Sequence, residues 1–290
     1  AFASTSKTPT RWSSGRLQPE RVSCRRSPTS STPPAPGLGS RLAPTRWDLD
    51  RAAPDHDVFV HHISGHYVLV NSRVLAGKGV SDHAADPPGG TLVRDEAGRP
   101  TGLFLDAATR LVMTSAVDIG HHGPDFHVSR PLEELLDDLD LATSTYHEAG
   151  LTTVCDPQVT ARELVAYREA RLQGRLRMRT ACMPLSHALD DLLRVGLAGP
   201  FGDDLLRLTG IKFYADGSLI GGTAAFFEPY GEGGEFTGSL YWTEEELSDM
   251  VGRAHAGGWQ VGVHAQGDRA IGMVIDAIDH ALHRIPRDAR

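Results

Sequence analysis

Apolar positions recur at steps of three and four residues along several stretches of the chain, and short β-branched runs separate them. Leu132, Leu135, Leu136, Leu139 and Ala142 draw one stripe along residues 131–149, the period of an amphipathic helix. Gly150 follows as its stop. Residues 161–172 read as a second helix, ended by Gly174, and 186–195 as a third. Thr243 and Glu246 form a capping box that opens a helix over 243–256. Ile271, Val274, Ile278, Leu282 and Ile285 place an apolar face on a last helix over 268–285. Between these, residues 151–155, 177–183, 208–214 and 259–264 read as strands. Upstream, 58–63 reads as a strand and 71–76 as a short helix. Residues 92–94 and 102–105 form two strands joined by a turn, in which Gly98 can take positive φ.

Strands alternating with helices predict an α/β protein whose mostly parallel sheet is covered by helices. An open doubly wound sheet and a (β/α) barrel both fit that alternation. No Gly-x-Gly-x-x-Gly follows a strand, so nothing supports a dinucleotide-binding sheet. Asp156, Asp216, and His264 with Asp268 fall instead at the C-terminal ends of different strands, where barrels place their chemistry. The expectation is a partial (β/α) barrel over 128–290, with about four βα units, preceded by a small β-rich accessory region over 44–127.

Composition changes this picture at the N-terminus. The 290 residues are 40% apolar and 23% charged, a globular balance, but the charge is uneven. Residues 1–46 carry a net charge of +7 and the remainder −15, within an overall −8. Ser, Thr and Pro fill 22 of those first 46 positions, so the segment has too little apolar surface to offset the entropy of ordering. Residues 1–43 are therefore expected to be disordered. The absence of a 7–15-residue apolar stretch there argues against a secretory signal. An Arg/Ser-rich transit peptide fits the composition, but the chain begins with Ala1. The reading preferred here is that the segment is not genuine coding sequence of this protein. The acidic remainder argues against a nucleic-acid partner. No apolar run is long enough to span a membrane. Three scattered cysteines, Cys24, Cys155 and Cys182, point to a reducing, cytoplasmic setting.

Two stretches carry candidate chemistry. Lys212 sits inside the apolar strand Gly210-Ile-Lys-Phe-Tyr-Ala-Asp216. A buried lysine is costly unless it is paired or neutralised. It either escapes to a strand end to pair with Asp216, or serves as a Schiff-base amine, or is carbamylated by CO₂ into a carboxylate that bridges cations. His264 ends the strand Gln260-Val-Gly-Val-His264, where imidazole is a common zinc ligand. Asp268 then reads as a helix N-cap or as a carboxylate orienting that imidazole.

Taken together these stretches resemble the amidohydrolase superfamily, and within it the amidohydrolase family 3 (YtcJ-like) group of metal-dependent hydrolases. Ile211–Leu219 resembles that group's lysine strand. Thr223–Tyr230 with Thr237-Gly238 resembles its following loop, and Val263–Ile271 its histidine strand and helix start. Gly65-His66…Asn71-Ser72…Leu75, Asp86–Gly90, Pro100–Leu103 and Gly150–Val154 match further blocks in the same order, from about Pro44 to about Leu282.

The resemblance implies hydrolysis of amide or other non-peptide C–N bonds in a small-molecule substrate. It also implies a divalent metal centre of one or two ions, with zinc the first choice. Lys212 would be the carbamylated bridging ligand and His264 a direct ligand. Asp268, Asp216 and His66 would be supporting or pocket residues.

The departures are specific. The family's first strand ends in a metal-binding His-x-His pair. Here the pairs His61-His62 and His121-His122 are adjacent instead. Family members are much longer and supply a further ligand histidine and a final aspartate downstream. The chain thus resembles the middle of an amidohydrolase, and no catalytic residue is assigned within it. Little activity is expected of it alone, and its unpaired strand edges would favour a homo-oligomer. An inactive remnant or interaction module, and a Schiff-base lyase using Lys212, are the alternative functions.

The other candidates read as structural. His121, His122 and His127 belong to a solvated loop, and His280 and His283 to an exposed helix face. Cys155 reads as a small core residue, Glu133–Asp140 as an outer helix face, and Trp259 and Phe226-Phe227 as core or pocket lining.

Overall fold

The computed structural model describes residues 44–62, 64–87, 89–113, 117–125, 130–231 and 234–286. The expectations for residues 1–43 and for His127 lie outside the described residues.

The first part is an antiparallel unit. Helix α1 (Arg46–Ala52) is followed by β1 (Phe59–His61), β2 (Tyr67–Val70), α2 (Ser72–Gly77), β3 (Gly90–Arg94) and β4 (Pro100–Asp106). The sheet order is β1-β2-β4-β3, antiparallel throughout. Strand β2 is missing from the sequence reading because Tyr67-Val-Leu-Val70 has no alternation, and Val68, Leu69 and Val70 are all buried. Asn71, fully buried, ties this unit together. Its side chain accepts from the Val74 and Val58 amides and donates to the His56 carbonyl. Val68, Val70, Leu92, Phe104 and Val112 form the unit's own core.

The second part alternates as expected. Its elements are α3 (Leu132–Glu148), β5 (Thr153–Val159), α4 (Ala161–Leu172), β6 (Arg179–Pro184), α5 (Leu189–Arg194), β7 (Phe201–Gly202), β8 (Leu206–Leu208), β9 (Gly210–Tyr214), α6 (Glu244–Ala256), β10 (Gln260–His264) and α7 (Asp268–Arg284). Strands β5, β6 and β8 are parallel neighbours, and so are β9 and β10. The strand expected over 208–214 is broken at Thr209, whose amide bonds the Cys182 carbonyl at 2.9 Å. Its first part pairs with β6 and its second with β10. A lone parallel bridge, Leu185 to Lys212, joins the two sheets.

The described parallel strands fall into two sheets, β5-β6-β8-β7 and β9-β10, and β7 adds an antiparallel edge to β8. Two expectations are corrected. The stripe expected on α7 is packed only in part, through Val274 and Ile278. Ala270, Met273, Val274, Ala277 and Ala281 are buried, whereas Ile271, Ile275, Leu282 and Ile285 are 41–59% exposed. Small side chains let α7 lie close against α6, so the alanine stripe is the packing face. The large aliphatics form a neighbouring stripe about 100° away. Cys155 is exposed rather than in the core, because β5 pairs on one side only.

The larger core gathers Ile211, Phe213, Leu247, Val251, Trp259 and Met273 between β9, β10, α6 and α7. Trp259 is fully buried, whereas Phe227 is exposed. His280 and His283 lie on the exposed side of α7, as expected.

Candidate functional site

Alternation along β9 sets the site. Ile211 and Phe213 enter the core with α6 and α7, so Lys212 and Tyr214 project from the opposite face. In the β9–β10 ladder Gly262 is opposite Lys212, and His264 is opposite Tyr214. Lys212 and His264 are therefore diagonal neighbours at the C-terminal ends of two parallel strands. The Lys212 ammonium lies 4.4 Å from the centroid of the Tyr214 ring. Among the described residues it makes no ion pair, and burial draws its pKa down to about 8. Tyr214 donates its hydroxyl to Gln158 Oε1 at the end of β5, and burial pushes that phenol's pKa up.

His264 Nε2 is 2.8 Å from the carbonyl oxygen of Gly217. A carbonyl only accepts, so the hydrogen lies on Nε2 and Nδ1 keeps its lone pair. Burial holds the His264 pKa below the ordinary value, and Lys212 and His66 add to that; the Gly217 bond and Asp216 oppose it.

Asp216 lies behind His264, its Oδ1 3.8 Å from His264 Nε2. It is fully buried, and its oxygens accept from the Ala225 and Gly267 amides at 2.8 Å and the Gln266 amide at 3.0 Å. It knots the end of β9 to the segment at Ala225 and to the turn between β10 and α7, and is unavailable as an ion-pair partner for Lys212. Both readings of Asp268 are also corrected. The N-cap of α7 is Gly267, where an added Cβ would sit 1.8 Å from the Ala225 carbonyl oxygen. With the cap position closed to a side chain, Asp268 lies one residue further on. Its carboxylate accepts from the Phe227 amide at 3.0 Å and from the Arg269 amide, and does not bond His264.

The antiparallel unit delivers His66 to the same place. Its ring centroid is 5.4 Å from that of His264 and 6.4 Å from that of Tyr214. Its Nδ1 lies 2.7 Å from Asp106 Oδ1, which also accepts from the Tyr241 hydroxyl at 3.2 Å. Asp106 and Tyr241 escaped the sequence reading. Asp106 stands just past an apolar run, and nothing local marks it. Tyr214 was legible, since residues two apart in a strand share a face.

The loop over 117–125 covers this end of the sheet, and its histidines are not solvated. His121 and His122 pack on Trp242, and His122 Nδ1 lies 2.8 Å from Ser186 Oγ. Burial, with His121 and His187 nearby, pulls the His122 pKa down to about 4. Gln158 holds the loop through the Pro124 carbonyl at 2.7 Å. Gly123 lies so close to the Tyr214 ring that a Cβ would come within 2.5 Å of it. His61 and His62 lie at the end of β1, with His62 stacked on Tyr67. At the end of β5, Asp156 accepts from the Tyr167 hydroxyl at 2.7 Å.

Among the described residues, no three His, Cys, Asp or Glu side chains are grouped to hold a metal ion. What lies together here is His264, Lys212, Tyr214 and His66.

The sequence profile of the amidohydrolase family matches residues 38–290. A protein of Bacillus subtilis (strain 168), named "putative amidohydrolase YtcJ", is 31% identical over 236 residues, covering 81% of this chain and 43% of its own length. The N-substituted formamide deformylase of Arthrobacter pascens is 27% identical over 242 residues, covering 81% and 43%. The crystal structure of a metal-dependent hydrolase from Pyrococcus furiosus superposes with a TM-score of 0.56 at 26% identity, over 82% of this chain and 46% of that one. The chain thus spans about half the length of the curated relatives it matches. The chain belongs to the amidohydrolase family.

Proposed function

We propose that this chain carries part of the active centre of a metal-dependent hydrolase acting on amide or other non-peptide C–N bonds of a small molecule. One observation carries the reading: Lys212 and His264 stand side by side, on one face, at the C-terminal ends of adjacent parallel strands. The names of the Arthrobacter and Pyrococcus relatives support the bond class and the metal respectively. On this reading β5, β6, β8–β9 and β10 are consecutive walls of a partial (β/α) barrel.

The donor chemistry fits a divalent cation. Neutral imidazole nitrogen suits zinc and its borderline neighbours, and His264 presents Nδ1 with Nε2 committed to Gly217. His264 and Lys212 would hold the ion. Bound there, it would supply Lewis-acid polarisation of the scissile carbonyl and acidify water.

The protein's own residues prepare that site. Desolvation keeps a neutral fraction of Lys212 amine available. Attack of that nitrogen on CO₂ forms an N–C bond, releases one proton and leaves a carboxylate where a lysine stood. The Tyr214 ring faces the Lys212 nitrogen. The Gly217 carbonyl fixes the His264 ring, and Asp216 fixes the turns on either side of it. A catalytic zinc site normally takes three protein ligands, so hydrolysis by the pair alone is expected to be slow.

Residues 1–290 supplied with ¹³C-bicarbonate and zinc should show a carbamate carbon resonance that Lys212→Ala removes. Slow turnover of N-formyl and N-acyl amines should be abolished by chelation. Borohydride trapping of a carbonyl substrate on Lys212 without metal would establish the lyase instead.

A further inference from the structure

We propose that His66, oriented by Asp106, is a third ligand to the cation site formed by Lys212 and His264, so that the antiparallel unit contributes directly to the centre. This rests on the metal-dependent reading above and extends it to residues outside the parallel strands.

The argument starts from where the hydrogen of His66 lies. Nδ1 faces the Asp106 carboxylate at 2.7 Å in a buried pair. The carboxylate accepts, so Nδ1 carries the hydrogen and Nε2 is left with its lone pair. Among the described residues Nε2 takes no hydrogen bond. A carboxylate behind one imidazole nitrogen, with the other nitrogen unengaged, is the arrangement that orients metal-binding histidines and raises their basicity.

The placement agrees. Two imidazoles on one tetrahedral ion, each at about 2 Å, hold their ring centroids roughly 5 Å apart. The His66 and His264 centroids are 5.4 Å apart, with ring planes inclined by 37°. His264 also has a nitrogen lone pair to offer, since Nε2 is engaged by Gly217.

Asp106 shows costs that a purely structural residue would shed. Among the described residues its buried Oδ2 has no hydrogen-bond partner, which is unfavourable for a carboxylate. Its backbone sits at φ 49°, ψ −126°, a strained conformation for a residue with a Cβ. The strain puts Oδ1 against both His66 and Tyr241. Asp106 is on this account a positioning residue acting through His66.

The test uses the 290-residue chain with zinc titrated calorimetrically and cobalt(II) followed by its visible absorption. His264→Ala and His66→Ala should each weaken binding at least about tenfold. Asp106→Asn should weaken it by about 10–100-fold. Imidazole ¹⁵N spectra should show His66 protonated at Nδ1 in the unaltered chain and in mixed tautomers in Asp106→Asn, a change that loss of packing alone would not cause. If His66→Ala fails to fold, His66→Gln keeps the size and a hydrogen bond to Asp106 while removing the imidazole lone pair, and should weaken binding equally. Unaltered affinity in both His66 variants, with affinity lost in His264→Ala, would overturn this inference and leave the Lys212–His264 reading standing. No binding by the unaltered chain would overturn both.

Discussion

Asp216→Asn should destabilise the protein more than any other single-atom exchange near the site. Asp216 is fully buried and accepts three backbone hydrogen bonds, two on Oδ2 and one on Oδ1. An asparagine supplies one acceptor oxygen. In its better orientation the carbonyl keeps the Ala225 and Gly267 amides, and the NH₂ group then faces the Gln266 amide, donor against donor. One hydrogen bond to a charged group is lost and a buried N–H is left unpaired, which costs about 2–4 kcal/mol. For a chain of this size that is a fall of roughly 3–8 °C in Tm.

The assay is a pair of thermal melts at one scan rate, with Asp268→Asn as control. Asp268 is exposed and accepts from the Phe227 and Arg269 amides, so its exchange should cost under about 1.5 kcal/mol. The imidazole resonances of His264 should shift in Asp216→Asn, because the aspartate anchors the turn that follows that ring. A melt within about 2 °C of the unaltered protein would refute the reasoning, as would Asp268→Asn proving the more damaging.

Three further outcomes are expected. The His122 pKa lies near 4 in the folded chain against about 6.5 unfolded, so the unfolded state binds the extra proton first. Stability should decline by roughly 3 kcal/mol as pH falls from 6.5 to 4 and level off below. Urea denaturation of His122→Asn across that range should show a flatter profile, and an unchanged slope would contradict the assignment. Gly123→Ala forces a Cβ against the Tyr214 ring and should lift the 117–125 loop, read as faster proteolysis there; unchanged cleavage would show that the ring yields. Cys155 is exposed, but burial and then the neighbouring Asp156 raise its pKa. It should be alkylated at neutral pH more slowly than free cysteine, and faster alkylation would mean a thiolate-stabilising environment instead.

What the sequence made legible follows from how local the signals are. The helix over 161–172 is bounded as expected because Thr160 and Glu163 cap one end and Gly174 follows the other. Lys212 and His264 stood out because a charged or titratable group in a short apolar strand has few places to go. The register that makes them diagonal neighbours is a tertiary fact, but consecutive parallel strands made it accessible. The hydrogen bonds of Asp216 are not legible in the sequence, because its three backbone donors come from two other segments and none is visible in the residues around it. The packed face of α7 was misread in part because both of its stripes have helical period, and only the neighbouring α6 decides between them. The 117–125 loop was misread because its Gly and Pro content suggests solvent, whereas Gln158 and Tyr214 pin it.

His66 and Asp106 are separated by 40 positions, and the ladder between β2 and β4 brings them together, with the Asp106 amide bonding the His66 carbonyl beyond the last strand pair. The chain immediately after Asp106 divides its side chains between two cores. Ala107 packs with Phe213, Tyr241 and Trp242 in the larger one, and Ala108 with Val68, Val70 and Phe104 in the smaller. Asp106 thus stands at the point where the antiparallel unit is fastened to the parallel strands. Its strained backbone can persist there because packing on both sides over-determines it. The same fastening fixes the separation of His66 from His264. A substitution that loosened the Ala107 contact would therefore be felt in the His66–His264 separation before it was felt in either core, since a displacement of about 1 Å is small for packing but large for two groups proposed to share one ion.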